Sequence, residues 1–442
     1  MGPGIGAVLR PLAVTLSIAI GTWWLALIPL PGVDVSSFQK LGNFDPRLIG
    51  ILCLELRPFT SAALLIELFA MTRPQLRALR LGGYPERARL WRRTELLGLV
   101  LIATQAFFIA RWLEHSRSIY ESMGVWFGTG ASHGPGLMAV QIVTLVSGSV
   151  LLYWLARLIE RYGAGNGFSA LIASFLAVPT IADLVATARE RVLAGERILL
   201  PLVAAAVTVA AVTRLAGGHP LRRQAAPTNR ETLPIPSSGL QPVVTGAALL
   251  VLPTQLARWG IHIPILGVGP GTWAQRSIQA ALTAALCVLL AWLFNRPRAV
   301  ADAWNLSVEN ARAAFARALA GSLAVCWALA AADWLCADAG LAVNAIDLAI
   351  LACVAADIVG ELRFRHRYGG VASVWPVHRL YQLPVLLDAL ATANIPAFPR
   401  GRHHRTLWNF LAPFVPVDIV VPAADAARAE QIVRSNTESG GR

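Results

Sequence analysis

Long apolar stretches, separated by shorter polar segments, recur along most of the chain. A stretch of about 20 apolar residues is long enough to cross a bilayer as a helix. Arg57-Pro58 interrupts one of these stretches, and we expect a broken helix there because proline lacks a backbone donor. We predict ten membrane spans, near residues 11–30, 48–71, 94–113, 137–159, 166–186, 198–215, 240–259, 274–294, 313–336 and 341–362.

Residues beyond Gly369 follow a different pattern, in which short strand-like and helix-like segments alternate. The alternation is typical of a small soluble α+β domain, and its apolar runs are too short to cross a membrane. We therefore predict a membrane domain over residues 1–370 and a soluble domain over residues 371–442, which ends in a disordered tail. The predicted strands are Val377–Gln382, Ile395–Phe398 and Val417–Pro422, and the predicted helices are Leu383–Asn394 and Ala423–Arg434.

Composition supports the membrane assignment. Hydrophobic residues make up 56% of the chain and charged residues only 14%, whereas soluble domains carry about 25% charged residues. The predicted fold class is an all-α polytopic membrane protein with ten transmembrane helices, followed by the small α+β domain.

The formal net charge is +13, and much of it lies in alternate segments between spans, above all between Thr72 and Arg93. In membrane proteins such an arginine excess marks cytoplasmic loops. We therefore interpret the charge as a topology signal and do not expect a nucleic-acid partner. It places both termini in the cytoplasm.

No segment has the residues and spacing of a nucleotide-binding loop, a catalytic triad or a metal site, so we predict neither an enzyme nor a cofactor. His378, His403 and His404 lack ligand spacing, which favours a solvated loop over a metal site. The cysteines lie in apolar segments without a CxxC pair, which favours buried core thiols. They are Cys53, Cys287, Cys326, Cys336 and Cys353.

Four motifs, in matching order and spacing, resemble those of the SecY family, the channel subunit of the bacterial protein-conducting translocon. They are Ile28–Asp34 (IPLPGVD), Arg57–Glu67 (RPFTSAALLIE), Glu160–Ser169 (ERYGAGNGFS) and Phe294–Asp302 (FNRPRAVAD). The third motif is the most specific of the four.

The resemblance implies a protein translocase channel in the inner membrane of a bacterial cell, with two pseudosymmetric halves, a hydrophobic pore and a lateral gate formed by the second and seventh spans. The implied pore ring contains Thr60, Leu64, Leu171, Ile172, Val244 and Ile350. The implied gate residues are Ser61, Leu65, Leu68, Ala247 and Val251. The corresponding cytoplasmic loop motifs contain Gly163, Gly165, Asn166, Gly167, Asn295 and Arg298.

The resemblance also implies partners: a translocating polypeptide, the surrounding lipid bilayer, and SecE- and SecG-like small membrane subunits. The ribosome and the motor ATPase SecA dock on cytoplasmic loops of this family, and the shortness of those loops here counts against such docking. The family's plug is reduced to Val35–Arg47 at most.

Two other functions stay open on the sequence alone. A degenerate, non-conducting SecY-like scaffold would have the same spans. A secondary transporter of a small solute would use the intramembrane carboxylates Asp333 or Asp347. Asp357, near the cytoplasmic end of the last span, matches an aspartate of the family.

The C-terminal domain resembles, more weakly, a small prokaryotic signal-transducing domain with a ferredoxin-like plan. Two segments carry the likeness, Leu386–Phe398 and Val417–Glu430. Residues 374–436 contain their own apolar pattern, so we expect them to fold alone at the cytoplasmic side and to recruit or sense a soluble partner.

Overall fold

The computed structural model describes residues 3–33, 35, 45–81, 84–122, 135–193, 199–217, 233, 235–258, 272–304, 306–341 and 344–439. A helix coincides with each of the ten predicted spans. In chain order the helices before the first strand are α1 (Pro3–Ala26), α2 (Arg57–Thr72), α3 (Pro74–Leu81), α4 (Tyr84–Ser122), α5 (Pro135–Tyr162), α6 (Gly167–Leu193), α7 (Leu199–Ala216), α8 (Gln241–Arg258), α9 (Trp273–Phe294), α10 (Pro297–Trp304), α11 (Val308–Asp338) and α12 (Ala345–Tyr368).

Apolar length supports membrane insertion of most of these helices. Among the described helices, α1, α4, α5, α6, α7, α9 and α11 are long and apolar enough to cross a membrane. Large apolar side chains also lie exposed on them, such as Phe108, at 64% exposure, on α4. Such a surface is favourable in lipid and unfavourable in water, so the chain is a multi-pass membrane protein.

The predicted break in the second span is confirmed, and it shortens the helix. Helix α2 begins only at Arg57, with Pro58 in its first turn, where proline costs no hydrogen bond. Turns replace helix over residues 51–56. Two backbone bonds secure the preceding chain: Leu30 N–H donates to Ile49 O, and Ile51 N–H donates to Ile28 O, each at 2.9 Å.

The segment from Thr72 to Arg93 was expected to be a loop, but most of it is helical. Pro74 begins α3, and α4 starts at Tyr84, well before its predicted span. Of the reduced plug segment, residues 36–44 lie outside the described residues, and Pro46–Ile49 forms one 3-10 turn.

The chain divides into two compact units. The first contains residues 1–175 together with Pro413–Val415, and the second contains residues 176–412 and 416–442. The division falls inside α6, after Phe175.

The predicted C-terminal domain contains a three-stranded antiparallel sheet with helices, in the second unit. Its strands are β1 (Val371–Val377), β2 (Phe398–Arg400) and β3 (Val417–Pro422), in the order β1-β3-β2. Its helices are α13 (Leu383–Thr392), α14 (Arg402–Leu407) and α15 (Ala426–Ser439). Residues 440–442, in the predicted tail, lie outside the described residues.

Two of the three predicted strands are shifted. Strand β3 is confirmed, but the strand predicted at Val377–Gln382 is wrong because β1 already ends at Val377. Val377 pairs with Val417, the first residue of β3, so no partner strand continues beyond it. A 3-10 turn forms at Leu380–Gln382 instead. The strand predicted at Ile395–Phe398 begins only at Phe398, where pairing with β3 starts.

The connection from β2 to β3 is the unusual part of this domain. Antiparallel neighbours can be joined by a two-residue turn, but here Gly401–Pro416 intervenes. We call this segment the β2–β3 insertion; it contains α14, and most of its residues are buried. The domain core lies elsewhere, around Leu386, Leu390 and Ile419.

Candidate functional site

The loop between α5 and α6, in the first unit, is organised by Asn166. Its Oδ1 accepts hydrogen bonds from the Ser169 amide at 3.0 Å and from the Ser169 hydroxyl at 3.2 Å. This bonding caps the start of α6, where backbone donors otherwise lack partners. Its Nδ2 donates to Glu160 Oε1 at 3.2 Å. Both ends of the amide are therefore fixed.

The glycines of this loop meet requirements of the backbone. Gly165 has a φ of +82°, a conformation that glycine adopts without steric cost. A Cβ on Gly167 would lie 1.8 Å from the Ala156 carbonyl oxygen, and a Cβ on Gly163 would lie 2.5 Å from Thr15 Oγ1. The chain can approach α5 and α1 this closely only where these side chains are absent.

Side chains of α5 form a polar network that supports the loop between α5 and α6. The Arg157 guanidinium donates to Glu160 Oε2 at 2.9 Å and to the Tyr153 hydroxyl oxygen at 2.8 Å. It also lies over the Trp91 ring, 4.7 Å from the ring centroid. The Tyr153 hydroxyl in turn donates to Glu95 of α4. This network fixes Glu160, and through it Asn166.

Phe414 of the β2–β3 insertion belongs to the same unit and packs beside this loop. Its ring stacks on Phe168 at a centroid distance of 5.1 Å, and it meets Phe59 edge-on at 5.5 Å and Tyr153 edge-on at 6.2 Å. Asn166 Nδ2 also lies 3.4 Å from the Phe414 carbonyl oxygen. Phe59 lies in the first turn of α2, so Phe414 contacts the beginning of a predicted gate helix.

In the second unit, Ser237 organises the segment that leads into α8. Its amide donates to Ser322 Oγ at 2.7 Å, and its hydroxyl lies 2.9 Å from the same oxygen. Its carbonyl accepts from Asn295 Nδ2 at 3.0 Å. Asn295 is the C-cap of α9, so the FNRP motif holds the start of α8. Arg298 lies exposed on α10.

The β2–β3 insertion also binds the start of α8. The Leu240 amide donates to the Leu407 carbonyl oxygen at 2.7 Å, and Asn409 Nδ2 donates to the Ser237 carbonyl oxygen at 2.9 Å. Gly239 has a φ of +70°, and a Cβ there would lie 2.5 Å from the Leu407 oxygen. The approach is therefore a close backbone contact.

Helix α12 presents two buried carboxylates, one to the β2–β3 insertion and one to the end of β2 just before it. Asp357 accepts from the amides of His403 and His404, both at 3.1 Å, and lies 2.6 Å from His403 Nδ1. It thereby caps the start of α14. One turn later, Glu361 pairs with Arg400 at 2.5 Å and with Arg365 at 2.7 Å. Glu361 is fully buried, where an ion pair is screened little by solvent.

The expected solvated loop around the histidines is wrong. His404 is fully buried, and this burial lowers its pKa to about 3. His403 binds Asp357, and His378 Nδ1 lies 3.3 Å from the Ala412 carbonyl oxygen. Among the described residues, no three His, Cys, Asp or Glu side chains are grouped so that they could hold a metal ion.

The predicted pore residues differ in exposure. Leu171 and Ile350 are buried, whereas Thr60, Leu64, Ile172 and Val244 are partly exposed. The Thr60 hydroxyl donates to the Arg57 carbonyl oxygen of its own helix at 2.7 Å.

The predicted gate residues lie on α2 and α8. Ser61 and Leu65 are partly exposed, and Leu68 and Ala247 are exposed. The Val251 side chain lies outside the part of the chain that the structure describes.

Sequence reasoning missed Glu361, Arg400 and Asn409. None belongs to a motif, and their partners are distant in sequence, so only the charge of Glu361 near the end of a membrane helix could have identified one of them. Asp333 has a structural role, because its Oδ1 accepts from the Ala345 amide at the start of α12. The cysteines are free thiols; Cys53 is partly exposed and the other four are buried.

The family comparison covers three of the four motifs, all but Ile28–Asp34. A sequence model of the SecY family matches residues 50–309. The protein translocase subunit SecY of Thermus thermophilus is 28% identical over 273 residues, which cover 54% of this chain and 61% of that protein. The subunit of Escherichia coli K12 is 25% identical over 290 residues, covering 58% and 63%. The matches span less than two thirds of either relative.

Solved channel structures have a similar fold. A SecY structure from a study of the plug domain and the membrane seal gives a TM-score of 0.50 at 16% identity, covering 81% of this chain and 92% of the other. Sec61 in the canine ribosome-channel complex gives 0.52 at 14% identity, covering 81% and 93%. At these identities the likeness concerns the fold alone.

Proposed function

The chain belongs to the SecY family, whose sequence model matches more than half of it, and from that membership we propose that it is the channel subunit of a protein translocase. The substrate is a polypeptide that crosses the membrane or enters it sideways. The bilayer surrounds the channel, and both chain termini lie in the cytoplasm of the bacterial cell.

One observation carries this proposal: α2 begins at Arg57, after a run of turns, instead of continuing through the whole predicted span. Backbone that is not helical is tolerated at membrane depth only where protein or a water-filled cavity surrounds it. The proposed pore residues Thr60 and Leu64 follow within the first two turns of this shortened helix.

The pore ring closes by excluding water, because aliphatic side chains around a narrow passage leave no favourable site for ions. The Thr60 hydroxyl binds within its own helix, which satisfies the one polar group among the six proposed ring positions.

SecE- and SecG-like subunits are proposed partners by family membership. The ribosome and SecA dock on cytoplasmic loops in the family, and those loops are short here, so we propose a different motor or no motor docking at that surface. The chain supplies no nucleotide-binding loop, so energy for transport comes from a partner.

Cross-linking of a stalled, radiolabelled nascent chain tests the proposal. A photoreactive residue at Leu64 should cross-link to the nascent chain. The matched control is Phe108, which is exposed on α4 and should contact lipid. Equal labelling from both positions, or none from Leu64, would contradict a channel and favour the non-conducting scaffold.

A further inference from the structure

The β2–β3 insertion is larger than the domain core requires. That core is complete without it, since its buried residues come from β1, α13, β3, α15 and their adjoining turns. Yet Leu407 and Val415 of the insertion are fully buried. Their burial is therefore contributed by packing outside the core of the small domain.

The insertion contacts the beginnings of α8 and α2, two helices that a channel with a lateral gate must move. In the second unit it accepts a hydrogen bond from the Leu240 amide, immediately before α8, and donates one to Ser237. In the first unit Phe414 packs on Phe59 at the start of α2. Helices α2 and α8 are the two proposed gate helices, so one segment binds the beginning of each.

The bonds that attach this part of the chain to α12 differ in kind from the contacts that the insertion makes at the starts of the gate helices α8 and α2. Asp357 holds the insertion through charged capping hydrogen bonds, and Glu361 pairs with Arg400 of β2, immediately before the insertion. Hydrogen bonds to charged groups are stronger than neutral ones. The gate contacts consist of two neutral hydrogen bonds and one aromatic ring. Such an arrangement keeps the insertion attached to α12 while its contacts with α8 and α2 break and re-form.

We propose that the β2–β3 insertion is an autoinhibitory latch, which holds the start of α8 in the second unit and the start of α2 in the first unit until it is displaced. The inference rests on the proposed channel function. Opening requires the Leu240 amide, immediately before α8, to separate from the Leu407 carbonyl oxygen, and Phe59, at the start of α2, to separate from Phe414.

The first test measures amide hydrogen exchange of the full chain in lipid nanodiscs and does not depend on transport. Asp357→Asn removes the charge that anchors α14, so the His403 and His404 amides should exchange faster by about tenfold. If the insertion holds α8, the Leu240 amide should exchange faster as well. An unchanged Leu240 amide would overturn the proposal. Glu430→Gln, at an exposed ion pair, is the control and should change neither.

A milder variant covers the case in which Asp357→Asn misfolds. Phe414→Leu keeps an apolar side chain but loses the stacking on Phe168, and it should accelerate exchange in the first turn of α2. No acceleration there would contradict the role of Phe414 in the latch.

A second test locks the latch. Ser237→Cys with Asn409→Cys joins the insertion to the segment before α8. Mass spectrometry of the unreduced peptides establishes whether the two thiols, one on each side of the contact, are joined. The joined pair should abolish nascent-chain cross-linking at Leu64, and reduction should restore it. The control pair, Ala372→Cys with Val421→Cys, lies across β1 and β3 and should leave cross-linking unchanged. Undiminished cross-linking in the locked variant would overturn the latch.

The two tests separate the latch from the channel. If no variant cross-links, even after reduction, the proposed channel function fails. Hydrogen exchange at Leu240 then decides alone whether the insertion restrains α8.

Discussion

Two segments lead into helices of the membrane domain, and they are stabilised in different ways. The Asn166 loop, in the first unit, is largely self-contained: Asn166 binds Glu160 and Ser169, which are close in sequence. The Ser237–Leu240 segment, in the second unit, depends on distant residues. Ser237 binds Asn409, which is 172 residues away in sequence, and Leu240 binds Leu407.

The difference separates local from long-range structure. A local loop keeps its shape whenever its own residues are present. A segment held by a distant part of the chain changes when that part moves, which is what a regulated gate requires. The C-terminal domain therefore has more influence on the second segment than on the first.

The largest expected effect on stability comes from removing a long-range contact of the C-terminal segment. Glu361→Gln removes the buried carboxylate that pairs with Arg400 and Arg365. Leaving a buried charge without its partner costs about 3–5 kcal/mol. We expect faster limited proteolysis within the β2–β3 insertion and a lower thermal midpoint for the purified full chain.

The control for this variant is Glu430→Gln, because Glu430 pairs with Arg434 at an exposed position. Exposed pairs contribute about 0–1 kcal/mol, so this variant should behave as wild type. Equal behaviour of the two variants would mean that the pairing of Glu361 with Arg400 of β2 does not help to hold the neighbouring insertion in place.

An intermediate loss of stability is expected from a change in the Asn166 loop, which is the locally stabilised segment. Gly167→Ala places a Cβ where the Ala156 carbonyl oxygen lies 1.8 Å away, and a backbone contact can be relieved only by moving α5 or α6. Overpacking of this kind costs about 1–3 kcal/mol. Thermal unfolding in detergent should detect the loss.

Gly136→Ala is the matched control, since nothing lies within 4 Å of a Cβ at that position of α5. Alanine favours helix by up to about 1 kcal/mol relative to glycine, so this change should be neutral or slightly stabilising. If both alanines were tolerated equally, the close approach at Gly167 would not matter to stability.

The same distinction explains what the sequence could predict. The ten helices, the break at Arg57 and the Asn166 loop follow from apolar length, proline chemistry and nearby glycines, which are all local. The position of β1 depended on where β3 begins, and the hydrogen bonds of His403 and His404 depended on Asp357 of another helix. The pore and gate residues followed only from the family resemblance and stay predictions.

The contact between Asn166 and Phe414 combines local with long-range structure. The loop motif and its capping role are visible in the sequence, but the partner is 248 residues away. A residue can thus be recognised as important from its motif while its second partner stays hidden until the chain folds.

The smallest expected effect on stability near neutral pH comes from His404, which lies in the β2–β3 insertion among the long-range contacts. Burial lowers its pKa to about 3 in the folded protein, against about 6.5 in the unfolded chain. Below pH 6.5 the unfolded chain binds a proton that the folded chain does not, so stability decreases as the pH falls from about 6.5 towards about 3. Above pH 6.5 both states are neutral and the contribution is constant.

At pH 6 the expected loss is about 1 kcal/mol, and it should be measurable as a lower thermal midpoint of the full chain between pH 7.5 and pH 5.5. His404→Gln should flatten this dependence, since glutamine does not titrate, whereas His115→Gln, at an exposed position of α4, should keep it. An identical pH dependence in the His404 variant would assign the acid sensitivity to another group. A flattened one would establish that neutral His404 stabilises the folded chain, which places an acid-sensitive group among the long-range contacts.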